Sequence, residues 1–110
     1  MLRILSSLKV FGMINVTNLR VGGRCFSGMC VDLPDCPAPL LLIIADKGFV
    51  MCGFLNVEAA EKLNVAAAVV SGVKSFEDVL NAQVKAATGK ARALGVELGM
   101  KGDEALKCMS

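Results

Sequence analysis

The sequence contains no histidine, no tryptophan and no tyrosine among its 110 residues. Without histidine, the chain lacks the side chain that most often serves as a general base near neutral pH. Without tryptophan and tyrosine, and without any run of like charges, it lacks both the aromatic platforms and the clustered cations of a nucleic-acid surface. We therefore expect no nucleic-acid partner.

Long apolar runs are also missing. The longest, residues 40–45 and 65–70, fall far short of the roughly 20 residues of a membrane-spanning helix. The first residues, MLRILSSLKVFGM, are interrupted by two serines and a lysine, and no small-residue cleavage site follows. The odd number of cysteines, five, indicates free thiols in a reducing compartment rather than a disulfide framework. These features predict a cytoplasmic protein with no membrane partner.

The hydrophobic share of the composition, 55%, is high for a soluble monomer of this length. A chain of 110 residues forms one small domain, which has too little interior to bury so much apolar surface. Exposed apolar patches usually mark partners, so the composition predicts self-association. We interpret residues 1–12 as an N-terminal extension or a first strand, and residues 13–110 as the single domain.

Residues 38–56, APLLLIIADKGFVMCGFLN, are the centre of the predicted fold. Two apolar arms joined by Asp46, Lys47 and Gly48 predict a β-hairpin. Because both arms are apolar at nearly every position, we expect this hairpin in the middle of a sheet. Before it, two strand-like segments flank Gly22 and Gly23, which predicts another hairpin.

The second half of the chain predicts short helices and strands. Asn56 is a suitable N-cap for a helix that ends at Asn64, with Val57, Ala60 and Leu63 facing the core. Residues 65–70, VAAAVV, predict a further central strand, and residues 75–78 resemble a capping box. Acidic residues at its start and a lysine near its end predict a terminal helix at residues 103–109.

Residues 76–94 allow two interpretations. Their apolar residues fall on one helical stripe, which permits a single long helix. Alternatively, Thr88 begins a separate helix, and residues 83–87 form an edge strand. Overall the pattern predicts an α+β fold, with a mainly antiparallel or mixed sheet of about five strands and short helices packed mostly on one face.

Three stretches carry a resemblance to a known family: GFVMCGFL at 48–55, SGV at 71–73 and GVELGMKGDEAL at 95–106. They resemble the YunC-like family of small prokaryotic proteins, whose function is unknown. The resemblance runs over residues 14–109 and leaves residues 1–12 outside the family pattern. It implies a strand near residues 83–87 and a cysteine at the position of Cys52 in many relatives, but it implies no activity.

Cys52 is the candidate catalytic residue. A nucleophilic or redox-active thiol needs a base or a cation that stabilises the thiolate. With no histidine in the chain, only a lysine such as Lys47 or Lys74 could supply that charge. The alternative, a small buried apolar residue, is the common state of a free cysteine, and the sequence favours it.

The turn between the strand at 65–70 and the following helix is the candidate ligand-binding segment, here called the 71–75 turn. It consists of Ser71, Gly72, Val73, Lys74 and Ser75. A strand-to-helix turn presents backbone N–H groups, and the lysine adds positive charge, so the segment is a candidate site for a small anion. The alternative is an ordinary tight connection, because every strand-to-helix turn offers the same groups. The segment lacks the glycine spacing of a phosphate loop.

The remaining cysteines do not predict a metal site. Cys25, Cys30 and Cys36 are too widely spaced for a zinc knuckle, and we expect no cofactor. The sequence as a whole predicts a non-catalytic, self-associating cytosolic module that binds a small anionic ligand. The alternative is a small enzyme that uses Cys52 as a reactive thiol.

Overall fold

The computed structural model describes residues 14–32, 39–53 and 56–110, and the prediction for residues 1–12 lies outside them. The described residues form six strands and four helices. The strands are β1 (Ile14–Val21), β2 (Arg24–Val31), β3 (Leu40–Ile44), β4 (Phe49–Met51), β5 (Ala67–Val69) and β6 (Ala86–Ala87). The helices are α1 (Val57–Lys62), α2 (Phe76–Asn81), α3 (Gly89–Ala93) and α4 (Gly102–Cys108). The α+β class is confirmed.

One mixed sheet holds all six strands in the order β1-β2-β3-β4-β5-β6. The pairs are antiparallel except β4 and β5, which run parallel. A parallel pair needs a crossover connection, and α1 lies in the segment that joins these two strands. The sheet has one strand more than the five or so expected, because the two-residue β6 adds to one edge.

The predicted hairpins are confirmed. Gly22 and Gly23 have φ values of 58° and 82°, the conformation of a two-residue turn that follows the twist of its strands. The hairpin of β3 and β4 lies in the middle of the sheet, as expected. It is not buried on both sides, however. Ile43 and Val50 are fully buried, whereas Ile44 is 43% exposed.

One face of the sheet, here called the inner face, carries the core. The cross-strand row of Gly28, Ile43, Val50, Ala68 and Ala87 lies on it. Helix α2 packs against β3, and α4 packs against β4 and α2. At Gly28 a methyl group would come 2.8 Å from Cε1 of Phe76, so the glycine allows α2 to approach the sheet.

The region between residues 76 and 94 follows the split interpretation. Helix α2 ends at Asn81, and the side chain of Thr88 caps α3 by accepting a hydrogen bond from the N–H of Ala91. The prediction for Leu63 was wrong. Helix α1 ends at Lys62, which places Leu63 at the C-cap with 74% of its surface exposed.

Candidate ligand site at the carboxyl ends of β4 and β5

The parallel pairing of β4 and β5 brings their carboxyl ends together at one edge of the core. Met51 lies opposite Val69, and the N–H of Val70 donates to the carbonyl of Met51 at 2.9 Å. The residues that follow, Cys52 after β4 and Ser71 after β5, therefore emerge side by side. In sheets with parallel strands, the carboxyl ends are the usual place for ligands.

A cavity of about 360 Å³ lies at this position, here called the Ser71 cavity. It is lined by Pro39, Cys52, Gly53, Ser71, Gly72, Val73 and Lys74. The cavity thus joins the two candidate sites of the sequence, Cys52 and four of the five residues of the 71–75 turn. Its volume is at the lower end of the range for small-molecule sites.

The polar side of the cavity is formed by the 71–75 turn. Gly72 has a φ of 71°, which a residue with a side chain rarely adopts. Among the described residues, no acceptor takes a hydrogen bond from the backbone N–H of Ser71, Gly72 or Val73. Lys74 is the one charged side chain in the described lining, and no acid is part of it. The turn therefore offers donors and positive charge to a ligand.

Ser75 does not line the cavity, because its hydroxyl is occupied by α2. Its Oγ accepts a hydrogen bond from the N–H of Asp78 at 3.1 Å, as the capping pattern predicted. The Oδ2 of Asp78 in turn accepts one from the N–H of Lys74 at 3.0 Å. These two bonds hold the carboxylate of Asp78 on the first turn of the helix and fix the end of the 71–75 turn.

Cys52 forms part of the cavity wall but is only 4% exposed. Its Sγ accepts a hydrogen bond from the N–H of Leu41 at 3.4 Å, and its own N–H donates to the carbonyl of Leu41 at 3.1 Å. Cys52 therefore extends the pairing of β3 and β4 by one residue. Lys74 lines the same cavity, whereas Lys47 lies in the turn between β3 and β4, at the opposite end of the hairpin.

The other described cysteines are not among the residues that line this cavity. Cys25 is exposed, Cys30 and Cys108 are half-buried, and Cys36 is outside the described residues. Burial raises the pKa of the Cys30 thiol above its ordinary value, and the negative charge of Asp32 raises it further. Within residues 14–32, 39–53 and 56–110, no three cysteine or carboxylate side chains converge as metal ligands would.

A second cavity, of about 280 Å³, lies at the amino ends of β4 and β5. Phe49 and Val65 contribute to it, together with the side chains of Lys47 and Lys90. No pattern in the sequence indicated this cavity, and it was not predicted. Nor did any pattern indicate Pro39 and Gly53 in the Ser71 cavity, since their position there depends on the parallel alignment of β4 with β5.

A family described as a domain of unknown function, DUF1805, matches residues 51–109, which is more than half of the chain. The chain belongs to the DUF1805 family. The uncharacterized protein YunC of Bacillus subtilis strain 168 is 32% identical over 98 residues, which cover 86% of this chain and 95% of YunC. The predicted YunC-like family is thereby confirmed.

A similar fold is present in a crystal structure of another protein. A protein of unknown function from Thermoplasma acidophilum is 33% identical and superposes with a TM-score of 0.82, covering 89% of this chain and 94% of the other. Neither relative carries a named activity. In the described part of this DUF1805 member, no helix has the length and apolar character needed to cross a membrane.

Proposed function

We propose that this protein is a non-catalytic cytoplasmic module that self-associates and binds a small anionic ligand in the Ser71 cavity. The ligand-binding half rests on one observation: Lys74 lines the same cavity as Ser71, Gly72 and Val73, whose N–H groups have no acceptor among the described residues, at the carboxyl ends of two parallel strands. Self-association is supported by the apolar outer side of the sheet, described in the next subsection.

The lining indicates the class of ligand. Lys74 and the backbone donors of Ser71 and Gly72 suit one anionic group, while Pro39 and Val73 offer apolar surface beside them. A small carboxylate with a short apolar substituent matches both halves of this lining. Inorganic phosphate would satisfy the polar half alone, so a carboxylate of this kind binds more tightly than phosphate in our proposal.

We propose a non-catalytic function because the described lining contains just two titratable side chains, Cys52 and Lys74. The thiol of Cys52 is buried and engaged with the backbone of β3. A general acid–base pair, as hydrolytic or transfer chemistry requires, is not formed by these groups.

One observation favours the second candidate function, a small enzyme that uses Cys52. Cys52 and Lys74 line the same cavity, and a lysine can stabilise a thiolate. A reactive Cys52 would be alkylated by iodoacetamide in the folded protein at a rate that falls in the variant Lys74→Gln. In the proposed non-catalytic module, Cys52 is instead alkylated slowly, and at the same rate in both proteins.

Ligand binding is tested by thermal unfolding in the presence of propionate, with phosphate as the second probe. A ligand that binds only the folded state raises the unfolding temperature as its concentration rises. We expect propionate to do so in the wild type and to lose most of this effect in Lys74→Gln. The matched control is Lys90→Gln, which removes the same charge at the opposite end of β4 and β5.

An equal propionate response in Lys74→Gln and Lys90→Gln would contradict the site. A response to phosphate that equals or exceeds the response to propionate would contradict the proposed ligand class. Neither outcome depends on self-association, which is measured separately.

A further inference from the structure

The side of the sheet opposite the core carries apolar residues on four strands, here called the outer patch. Its members alternate with the inner-face residues and are Val16, Met29, Val31, Leu40, Leu42, Ile44, Phe49 and Met51. The polar residues Asn18 and Ser27 lie on the same side, in the cross-strand row of Ile44. Val16, Met29, Leu42 and Met51 form one cross-strand row. Val16 is 67% exposed and Ile44 is 43% exposed, while the other six are half-buried.

The outer patch ends where the sheet reaches α1. Ala67 and Val69 of β5 also point to the outer side, but they are buried, and α1 packs against β5. The sheet therefore uses a helix to bury its outer side at β5 and leaves apolar side chains partly open to solvent from β1 to β4. A contiguous apolar surface of this kind marks an interaction site.

The charges around the outer patch favour a partner with the same balance of charge. Arg20 lies on the outer side of β1, Asp32 follows β2, and Asp46 and Lys47 form the exposed turn between β3 and β4. Two cations and two acids thus surround an uncharged centre. A nucleic acid or an acidic membrane would need cations alone, whereas a second copy of this surface matches both the apolar centre and the mixed rim.

We propose that two copies of this chain pack their outer patches against each other, sheet on sheet, in a symmetric dimer. This inference rests on the proposed self-association and names its surface. Two facing sheets pack about 10 Å apart with their strands at about 30°. Leu42 lies in the middle row of the outer patch and so near the centre of the contact, and Ile44 lies in the next row. The two inner faces, with their helices, lie on the outside of the dimer.

The size of the outer patch sets the expected strength. Neighbouring strands lie about 4.8 Å apart, and each residue adds about 3.3 Å along a strand. A patch four strands wide and five residues long therefore covers roughly 300 Å² per copy. Two such footprints amount to roughly 600 Å² in total, below the range of about 1,200–2,000 Å² that stable interfaces bury, so the contact is weak and transient. We expect a dimer that dissociates with a Kd on the order of 100 μM, in rapid exchange with the monomer.

Sedimentation equilibrium between about 10 μM and 1 mM tests the surface with three glutamate variants. Ile44→Glu and Val16→Glu place a charge within the outer patch at positions exposed in the monomer, so both variants keep their fold. The matched control, Leu98→Glu, adds the same charge at a hydrophobic residue that is 51% exposed and lies outside the outer patch. Circular dichroism establishes that all three remain folded.

The expected result is a wild type that approaches twice the 11.5 kDa of the chain at 1 mM. We expect Ile44→Glu and Val16→Glu to raise the Kd about tenfold or more, because a charge is buried without a partner, and Leu98→Glu to leave it unchanged. A wild type that stays monomeric at 1 mM would overturn self-association itself. A dimer that tolerates Ile44→Glu as well as Leu98→Glu would overturn the surface and leave self-association standing.

A measurement on the unmodified chain provides an independent check. The methyl groups of Ile44 are open to a dissolved paramagnetic agent in the monomer and covered in the dimer. We expect their relaxation enhancement to fall as the concentration rises from 10 μM to 1 mM, while that of the Leu98 methyl groups stays constant. An equal and constant enhancement at both residues, in a sample that dimerises, would overturn the proposed contact.

Discussion

The Sγ atom of Cys52 accepts a hydrogen bond from the backbone N–H of Leu41 at 3.4 Å. This bond and the reciprocal backbone bond from Cys52 to Leu41, 3.1 Å long, place the thiol in the core at the end of β4. Cys52, a cysteine in the wall of the Ser71 cavity, thus has a structural partner in β3. This hydrogen bond and the burial of the side chain limit the access of reagents to the Cys52 thiol.

Cys52 is expected to be alkylated far more slowly than Cys25. Cys25 is exposed, whereas Cys52 is buried and bonded to Leu41, so a reagent reaches Cys52 only when the β3–β4 hairpin opens. Limited treatment with iodoacetamide, followed by peptide mass spectrometry, gives both rates in one sample. We expect a ratio of about tenfold or more. Comparable rates would show an accessible thiol and favour the enzymatic alternative.

The hydroxyl of Thr88 joins β5 to α3. It donates to the carbonyl of Val65 at 2.7 Å and accepts from the N–H groups of Ala67 and Ala91 at 3.1 and 3.3 Å. Because Thr88 is fully buried, Thr88→Val keeps its shape but leaves these groups without a partner. We expect the free energy of unfolding to fall by roughly 2–3 kcal/mol, measured by urea denaturation.

The control for this prediction is Thr88→Ser, which keeps the hydroxyl and removes one methyl group. Its expected loss is about 1 kcal/mol. If the valine and serine variants lost the same free energy, the hydrogen bonds of Thr88 would not be the stabilising feature.

Local patterns in the sequence were sufficient for most of the elements. Turn glycines and N-cap side chains bond or bend the chain within a few residues of their own position, so a short stretch of sequence identifies them. The structure confirms the turn at Gly22 and Gly23 and the helix starts at Asn56, Ser75 and Thr88. The family resemblance favoured the strand near 83–87. Leu63 was placed in the core because its spacing fits a helix that ends at Asn64, two residues beyond the end of α1.

The assembly of the Ser71 cavity could not be predicted in the same way. Cys52 and Ser71 were identified separately, and they meet because β4 and β5 pair in parallel, an interaction between strands distant in sequence. The burial of the central hairpin on one side only could not be predicted from the sequence either. Ile43 and Ile44 are identical side chains that are adjacent in an apolar run, yet the pleat of the strand buries Ile43 and exposes Ile44.

Gly102 allows the start of α4 to lie against the end of α2. Its N–H donates to the carbonyl of Ala82 at 2.9 Å, and a methyl group at this position would overlap the carbonyl oxygen of Val79. Because that oxygen is part of the backbone, it cannot move aside cheaply. We expect Gly102→Ala to lower the free energy of unfolding by about 1–3 kcal/mol in urea denaturation.

The matched control is Gly53→Ala, since a methyl group there meets no atom within 4 Å. Its effect on stability is expected to be within about 0.5 kcal/mol of zero. Equal stability of Gly102→Ala and Gly53→Ala would refute the close contact between α4 and α2.

Because the pKa of the Cys30 thiol is raised in the folded chain, we expect the protein to lose stability at high pH. Burial, and secondly the charge of Asp32, hold the pKa of this thiol above the ordinary value of 9.0 in the folded chain. The unfolded chain therefore releases this proton first, and the free energy of unfolding falls as the pH rises above about 8.5. Thermal unfolding of the wild type and Cys30→Ala at pH 7 and pH 10 measures this contribution.

The expected result is a larger fall in unfolding temperature between the two pH values for the wild type than for Cys30→Ala, because the other cysteines titrate in both proteins. A fall of the same size in both would show that the pKa of Cys30 is not raised in the folded state.

The central claim is that Ser71, Gly72, Val73 and Lys74 form the binding site for a small carboxylate. Backbone amide shifts in a ¹⁵N spectrum test it most directly, recorded while propionate is added to the wild type at a concentration where it is monomeric. We predict saturable shifts confined to Ser71, Gly72, Val73 and their neighbours in the cavity, with Phe49 and Val65 at the other end of the strands unaffected. Shifts that are linear, or equally large at both ends of β4 and β5, would contradict the account.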